Sequence, residues 1–198
     1  MIAVQVNRSG FNAQFSRLLA DSKNPIAVLK AAGRELGNQL KKHFRQKDQD
    51  DPNKLSPRRS HFWLDVAQSV NAPEQTGYNS ISVRVSDPRF AQKVFGGPIV
   101  AKAAGALTIP VSEKAYGRTA STFEAETGLK LFLLGPKDQS RGGVLAAKVG
   151  GQIEVEYVLA KSVDQPPDRT AIPDMNDLEK AVLARAQATL DSQNASEG

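Results

Sequence analysis

The hydrophobic period of this chain changes from helical to strand-like before its middle, and this change limits the fold more than any other feature. In the first third, apolar residues recur at steps of three and four, as they do on one face of a helix. Over residues 80–86 the step becomes two, because Ile81, Val83 and Val85 alternate with serine and arginine. The strand-like pattern then continues, and a helical pattern returns only near the end. Strands that do not alternate regularly with helices argue against a doubly wound parallel sheet.

We therefore expect an α+β fold, with N-terminal helices and a C-terminal helix packed on a mostly antiparallel β-sheet. The length of 198 residues fits a single domain, residues 1–198. Its helical part is expected over about 10–70, its strand-rich part over about 78–165 and its C-terminal helix over about 175–191.

The strongest helix signal begins at Asn24, a natural N-cap, followed by Pro25, a natural first helical residue. A continuous apolar stripe follows, formed by Leu29, Ala32, Leu36, Leu40 and Phe44. The polar stretch from Lys47 to Ser60 is expected to be an exposed loop. After it, a short helix is expected to anchor Phe62, Trp63 and Val66 in the core.

The strand-rich part consists of short β-type segments bounded by glycine or proline, as in an antiparallel sheet. Gly150 and Gly151 predict a hairpin turn between two of these segments. In the second of the two, glutamates alternate with apolar residues, which predicts an ordinary outward face for the glutamates. The glutamates are Glu154 and Glu156, and the apolar residues are Ile153, Val155 and Tyr157.

Several classes of chemistry find no support in the sequence. The chain has no cysteine, which excludes disulfides, thiolate metal sites and a cysteine nucleophile. It has no P-loop, no G-x-G-x-x-G and no G-x-S-x-G, so no cofactor and no catalytic residue are expected. The N-terminus has no signal-peptide pattern and no apolar run approaches a membrane span, so we expect no membrane partner and synthesis in the cytoplasm.

A metal-dependent hydrolase is one alternative to consider. His43 and His61 flank the polar stretch, and Asp48 and Asp50 lie between them. Hydrolytic metal sites use several closely placed ligands, whereas two histidines on either side of such a loop are more often surface or capping groups. We therefore expect no metal site.

The segment from Lys41 to Arg59 holds most of the chain's net charge of +5. Its cations fit a contact with an acidic protein or with nucleic acid, and Phe62 and Trp63 nearby could stack on bases. A nucleic-acid-binding module is therefore a second alternative, and the simplest interpretation is a solvated loop with inward aromatics. The candidate contact residues are Lys41, Lys42, Arg45, Lys47, Lys54, Arg58 and Arg59.

Three phrases of the sequence resemble the virion-morphogenesis family of tailed phages and prophages, which includes tail-completion and head–tail joining proteins of Mu-like phages. The phrases span residues 43–63, 90–126 and 158–173. In the second phrase the similarity runs over Phe95, Gly96, Gly97, Ile99, Lys102, Leu107, Ile109, Pro110 and Val111. In the third it runs over Arg169, Ile172 and Pro173.

The resemblance implies a structural protein of the virion, not an enzyme, made in the cytoplasm of the bacterial host. Such a protein would act at the head–tail joint or tail end, assembled as a ring, for example a hexamer. Its implied partners are other copies of itself, tail tube, terminator or connector proteins, and DNA passing through the joint. The segment from Phe95 to Val111 would then build or border a subunit contact. The strand within it ends at Pro110, which lacks a ladder donor and blunts pairing there.

Overall fold

The expected α+β class is confirmed by a computed structural model, which describes residues 2–4, 9–50, 55, 60–77, 79–102, 105–135 and 142–195. Within these ranges the longest helices lie in the N-terminal and C-terminal parts, two eight-residue helices lie among the strands, and all strand pairs are antiparallel. The helices are α1 (Ser9–Ala20), α2 (Pro25–Asp50), α3 (Phe62–Gln68), α4 (Pro88–Phe95), α5 (Ala120–Thr127) and α6 (Met175–Ala195).

The strands of the described ranges form three separate sheets. A three-stranded sheet has the order β1-β3-β2, a two-stranded ribbon pairs β4 with β9, and a four-stranded sheet has the order β5-β8-β7-β6. The first five strands are β1 (Ile2–Val4), β2 (Glu74–Gly77), β3 (Ser80–Val85), β4 (Gly97–Val100) and β5 (Leu107–Pro110). The others are β6 (Leu131–Leu134), β7 (Gly143–Val149), β8 (Gln152–Ala160) and β9 (Ser162–Gln165).

The chain divides into two compact units. The first, here called the helical unit, comprises Met1–Asp50, Phe62–Phe95 and Pro167–Gly198. The second, here called the sheet unit, comprises Asp51–His61 and Gly96–Pro166. The expected organisation as a single domain stays a prediction.

The long helix α2 begins as the sequence predicts and ends later. Asn24 caps it, because the Asn24 side-chain oxygen accepts a hydrogen bond from the Ala27 amide at 3.1 Å. Its far end differs from the expected loop, since residues 47–50 continue the helix to Asp50. Lys47 explains the difference: it follows Phe44 by three residues and is buried, so the inner stripe extends by one more turn.

The core of the helical unit is built around three aromatic rings. Phe44 stacks on Trp63 with 6.0 Å between ring centroids, and both meet Phe90 edge to face. All three side chains are buried, and α3 contributes Val66 to the same cluster. The expected anchoring of α3 on the core is therefore confirmed, with Phe62 partly buried at its edge.

The sheet unit has a much smaller core on one face of its four-stranded sheet. Phe123 of α5 packs edge to face on Tyr157 of β8, with 5.9 Å between centroids. The Tyr157 hydroxyl points at the backbone carbonyls of Arg118 and Thr119, 3.3 Å from each. Burial, with the nearby charge of Glu156 as a smaller cause, raises the pKa of Tyr157. This face of the sheet is fixed by the two aromatic rings and the short helix.

The predicted hairpin between β7 and β8 is confirmed. Gly150 and Gly151 connect the strands with φ angles of 56° and 89°. Two consecutive residues with positive φ are typical of the type I′ turn, whose twist matches that of the flanking strands.

Candidate interaction surface

The four-stranded sheet has a second face, which we call the outer sheet face. Cross-strand partners share a face, so the register places Leu134, Val144, Val158 and Ile109 in one apolar row across β6, β7, β8 and β5. Leu134 and Val158 are each 37% exposed, and the other two are half-buried. A row that crosses every strand of a sheet and reaches solvent is an unusual use of apolar side chains.

The same face continues along β8. Val155 is the partner of Ala146, two residues from Val144, and Ile153 is the partner of Lys148. Both therefore belong to the outer sheet face, and Ile153 is the more exposed at 59%. The outer sheet face thus contains at least six apolar side chains in contiguous rows.

The expected orientation of β8 is wrong. The sequence predicts Glu156 outside and Val155 inside, but Glu156 is buried and Val155 is 41% exposed. The cause is a β-bulge, where the register shifts between Leu145 and Ala146 so that Glu156 is the extra residue. An extra residue reverses the alternation, so only Tyr157 remains on the inner face as predicted.

The buried Glu156 carboxylate is held by the turn that follows β5. One of its oxygens accepts a hydrogen bond from the Ser112 hydroxyl, which in turn accepts from the Ala115 amide at 3.0 Å. The Val111 amide donates to the Glu156 backbone carbonyl at 2.9 Å. The bulge and the end of β5 therefore stabilise each other.

The predicted subunit-contact residues fall in both units. Phe95, at the end of α4 in the helical unit, is 71% exposed. In the sheet unit, Gly96 and Gly97 have φ angles of 67° and 107°, which glycine adopts without strain. Beyond them the exposed residues are Ile99, Lys102 and Val111, and the half-buried ones are Leu107, Ile109 and Pro110.

The strand that contains Pro110 lies at one edge of the four-stranded sheet. It has four residues, and Pro110 is its last, opposite Tyr157. A short edge that ends in proline offers little free ladder to another chain. Contacts with partners at this place would therefore use side chains of the outer sheet face, such as Leu107 and Ile109.

The basic candidates separate into three groups. Lys41, Lys42 and Arg45 lie on α2 with Lys42 and Arg45 exposed and Lys41 half-buried. Lys54, Arg58 and Arg59 lie outside the described residues. Lys47 alone forms the third group, because it is buried in the helical unit.

The ammonium of Lys47 is bound inside the helical unit. Its Nζ donates to the Thr170 hydroxyl at 2.7 Å, lies 3.4 Å from an Asp168 carboxylate oxygen, and sits 4.7 Å from the centre of the Trp63 ring. Burial acts to raise the pKa of Asp168, but hydrogen bonds from Thr170 and the charge of Lys47 outweigh burial and lower it. Lys47 is therefore a structural cation, and the buried Trp63 presents no face for stacking on bases.

The histidine candidates are placed as follows. His43 Nε2 lies 2.9 Å from the Thr170 carbonyl oxygen, a contact within the helical unit. His61 is exposed and falls in the sheet unit. Across the described ranges, no group of three or more histidine, aspartate or glutamate side chains is placed to hold a metal ion. Within the same ranges, no helix has the length and apolar character to cross a membrane.

Comparison of the chain with protein-family models, with curated proteins and with solved structures finds no match.

Sequence reasoning missed two features of these surfaces. The exposure of Ile153 and Val155 was missed because a bulge leaves no clear mark in the sequence. Arg34 was missed because it precedes the charged segment, although it is seven residues from Lys41 and therefore on the same helical face.

Proposed function

We propose that this chain is a structural, non-enzymatic protein that works by binding other proteins, as a phage or prophage morphogenesis protein at the head–tail joint or tail end. The proposal combines the resemblance of the segment from Phe95 to Val111 with one observation, the outer sheet face. That face carries an apolar row across all four strands of the sheet, with the side chains from β6 and β8 exposed and those from β5 and β7 half-buried.

The outer sheet face supports a protein partner for a thermodynamic reason. Removing apolar surface from water contributes roughly 25 cal/mol for each Å² buried. Contiguous exposed apolar patches are uncommon on monomers and mark contact sites when they are flanked by polar residues. Lys148, which shares this face with Ile153, is exposed and supplies part of such a polar rim.

Copies of the chain would contact each other head to tail. A head-to-tail interface joins two different surfaces and closes into a ring when the rotation between subunits divides a full turn. In such a ring the outer sheet face of one subunit would meet a different surface of the next. Tail tube, terminator or connector proteins would bind the exposed rims of the ring.

Co-expression with neighbouring gene products tests this proposal. We expect the genes beside this one to encode a portal, a major capsid protein and a tail tube. Purified together with the connector and tail tube proteins so identified, the chain should form a complex of fixed stoichiometry, measurable by native mass spectrometry. A gene neighbourhood without virion components, or no complex with any of these proteins, would contradict the proposal.

A further inference from the structure

The exposed face of α2 is a row of cations and amides, here called the α2 stripe. With 3.6 residues per turn, positions 34, 38, 41, 42, 45 and 49 fall on one side of the helix. Four of these residues are cations and two are amides: Arg34, Asn38, Lys41, Lys42, Arg45 and Gln49. Apart from the half-buried Lys41, all are exposed.

Within the part of the chain that the structure describes, no acidic side chain pairs with the cations of the α2 stripe. Among the residues that the structure describes, Arg34, Lys41, Lys42 and Arg45 have no carboxylate partner. The nearby Glu35 accepts a hydrogen bond from Gln39 at 2.6 Å. An ordinary solvated helix face mixes both signs of charge and forms pairs three or four residues apart.

Helix α6 of the same unit provides the internal comparison. It carries Lys180 and Arg185 among Asp177, Glu179 and Asp191, so neither sign dominates along it. The α2 stripe therefore departs from the pattern that this protein uses for a solvated helix. Its uniformly positive charge favours an anionic partner.

We propose that the α2 stripe binds the sugar–phosphate backbone of double-stranded nucleic acid. Arg34 and Arg45 are separated by 11 residues, or about 16 Å of helix axis, a length over which each strand of a B-form duplex carries about five phosphates. Asn38 and Gln49 supply amide donors, which bind phosphate and sugar oxygens.

Two observations favour a nucleic acid over an acidic protein. The α2 stripe exposes no apolar or aromatic side chain, whereas protein interfaces depend on buried aromatic and aliphatic anchors. Interfaces with DNA are instead more polar and much more positive. The lack of an exposed aromatic ring also favours a duplex over a single strand, which is usually bound by stacking.

Fluorescence anisotropy with a duplex DNA of about 20 base pairs and arbitrary sequence tests the inference. For about four phosphate contacts, the logarithm of the binding constant should fall linearly with the logarithm of the salt concentration, with a slope of about −3 to −4. Between about 50 and 200 mM salt, the affinity should therefore fall about a hundredfold.

A matched pair of double variants locates the contact. Lys41→Gln/Arg45→Gln should make the salt slope less steep by about two, since each lost phosphate contact removes about 0.9. Lys180→Gln/Arg185→Gln removes the same charge from α6 in the same unit and should leave the slope unchanged. All four positions are on helix surfaces, and equal thermal unfolding of both variants would confirm that the fold is kept.

Three results would overturn the inference. The first is the absence of duplex binding at about 50 mM salt, and the second is an equal change of the salt slope in both double variants. The third is tighter binding of oligoglutamate, or of the single strand, than of the duplex. The sheet variant Ile153→Lys should bind the duplex as the wild type does. The proposed DNA binding and the proposed protein assembly can therefore be disproved separately.

Discussion

The two units use their apolar residues in opposite ways. In the helical unit, Phe44, Trp63 and Phe90 are buried together with most other large apolar side chains of that unit. In the sheet unit the buried cluster of described residues consists of Ala115, Phe123, Ala147 and Tyr157. Of the ten large apolar side chains that are exposed in the described ranges, Ile26 and Phe95 belong to the helical unit and the other eight to the sheet unit.

This difference indicates a division of roles. A unit that buries its aromatic residues gains its folding free energy from its own core. A unit that leaves apolar side chains in water gains the free energy of burying them only when a partner covers them. The sheet unit is therefore expected to complete its packing on assembly, and the helical unit is expected to be stable without a partner.

Removal of a core ring should give the largest effect. Phe44→Ala should lower the free energy of unfolding by about 3–5 kcal/mol, because Phe44 is fully buried and contacts both Trp63 and Phe90. Ile153→Ala, on the outer sheet face, should change it by less than about 0.5 kcal/mol. Urea unfolding measures both, and similar losses for the two variants would remove the contrast between the units.

Two glycines of α2 test how closely the helical unit is packed. A Cβ at Gly33 would lie 2.5 Å from Ile81 Cδ1 and 2.8 Å from Pro73 Cβ, so Gly33→Ala should cost about 1–2 kcal/mol by overpacking. A Cβ at Gly37 has no neighbour closer than 3.9 Å, so Gly37→Ala should stabilise by about 0.5–1 kcal/mol. Thermal unfolding should shift in opposite directions, and a shift in the same direction would contradict the packing.

The Asp87–Arg89 ion pair of the helical unit predicts a pH dependence. Hydrogen bonds from Arg89 at 2.6–3.1 Å lower the pKa of Asp87 below the ordinary carboxyl range, despite partial burial. A lowered pKa in the folded state contributes stability above about pH 4, and this contribution is lost as the pH falls through the folded-state value.

Asp87→Asn should therefore lower the free energy of unfolding by about 1–2 kcal/mol near pH 7, and the difference from wild type should shrink below about pH 4. The Asp65 carboxylate, which also contacts Arg89 but is 53% exposed, provides the control. Asp65→Asn should have a smaller effect. A pH-independent loss for Asp87→Asn would show that the ion pair is not responsible.

A charge on the outer sheet face should have the smallest effect on folding. Ile153→Lys places an ammonium where 59% of the side chain is already exposed, so the free energy of unfolding should change by less than about 0.5 kcal/mol. Urea unfolding of the isolated protein measures it. A loss of 2 kcal/mol or more (roughly the cost of disturbing a core residue) would show that Ile153 is packed within its own chain.

The sequence predicted those parts of the fold that depend on local signals. The α2 cap at Asn24, the core side chains of α3 and the Gly150–Gly151 turn are encoded by residues close together in the chain. The burial of Lys47 was not predictable in the same way, because its partners Asp168 and Thr170 lie over 120 residues away.

For the candidate surfaces, too, local signals were predictable from the sequence and longer-range effects were not. The exposed Lys42 and Arg45 were predicted from charge alone. The outer sheet face was not predicted, because the bulge at Glu156 exchanges the two faces of β8. A period-two pattern predicts which face each side chain of a strand occupies only if the strand has no inserted residue.

A matched pair of variants shows whether the outer sheet face binds protein. Ile153→Lys and Ile26→Lys introduce the same charge at sites with exposures of 59% and 52%, in the sheet unit and the helical unit respectively. Each is co-expressed with the connector and tail tube proteins, and the mass of the resulting complex is measured by sedimentation velocity. We expect wild type and Ile26→Lys to form the same large complex and Ile153→Lys not to form it. Equal incorporation of all three would contradict it.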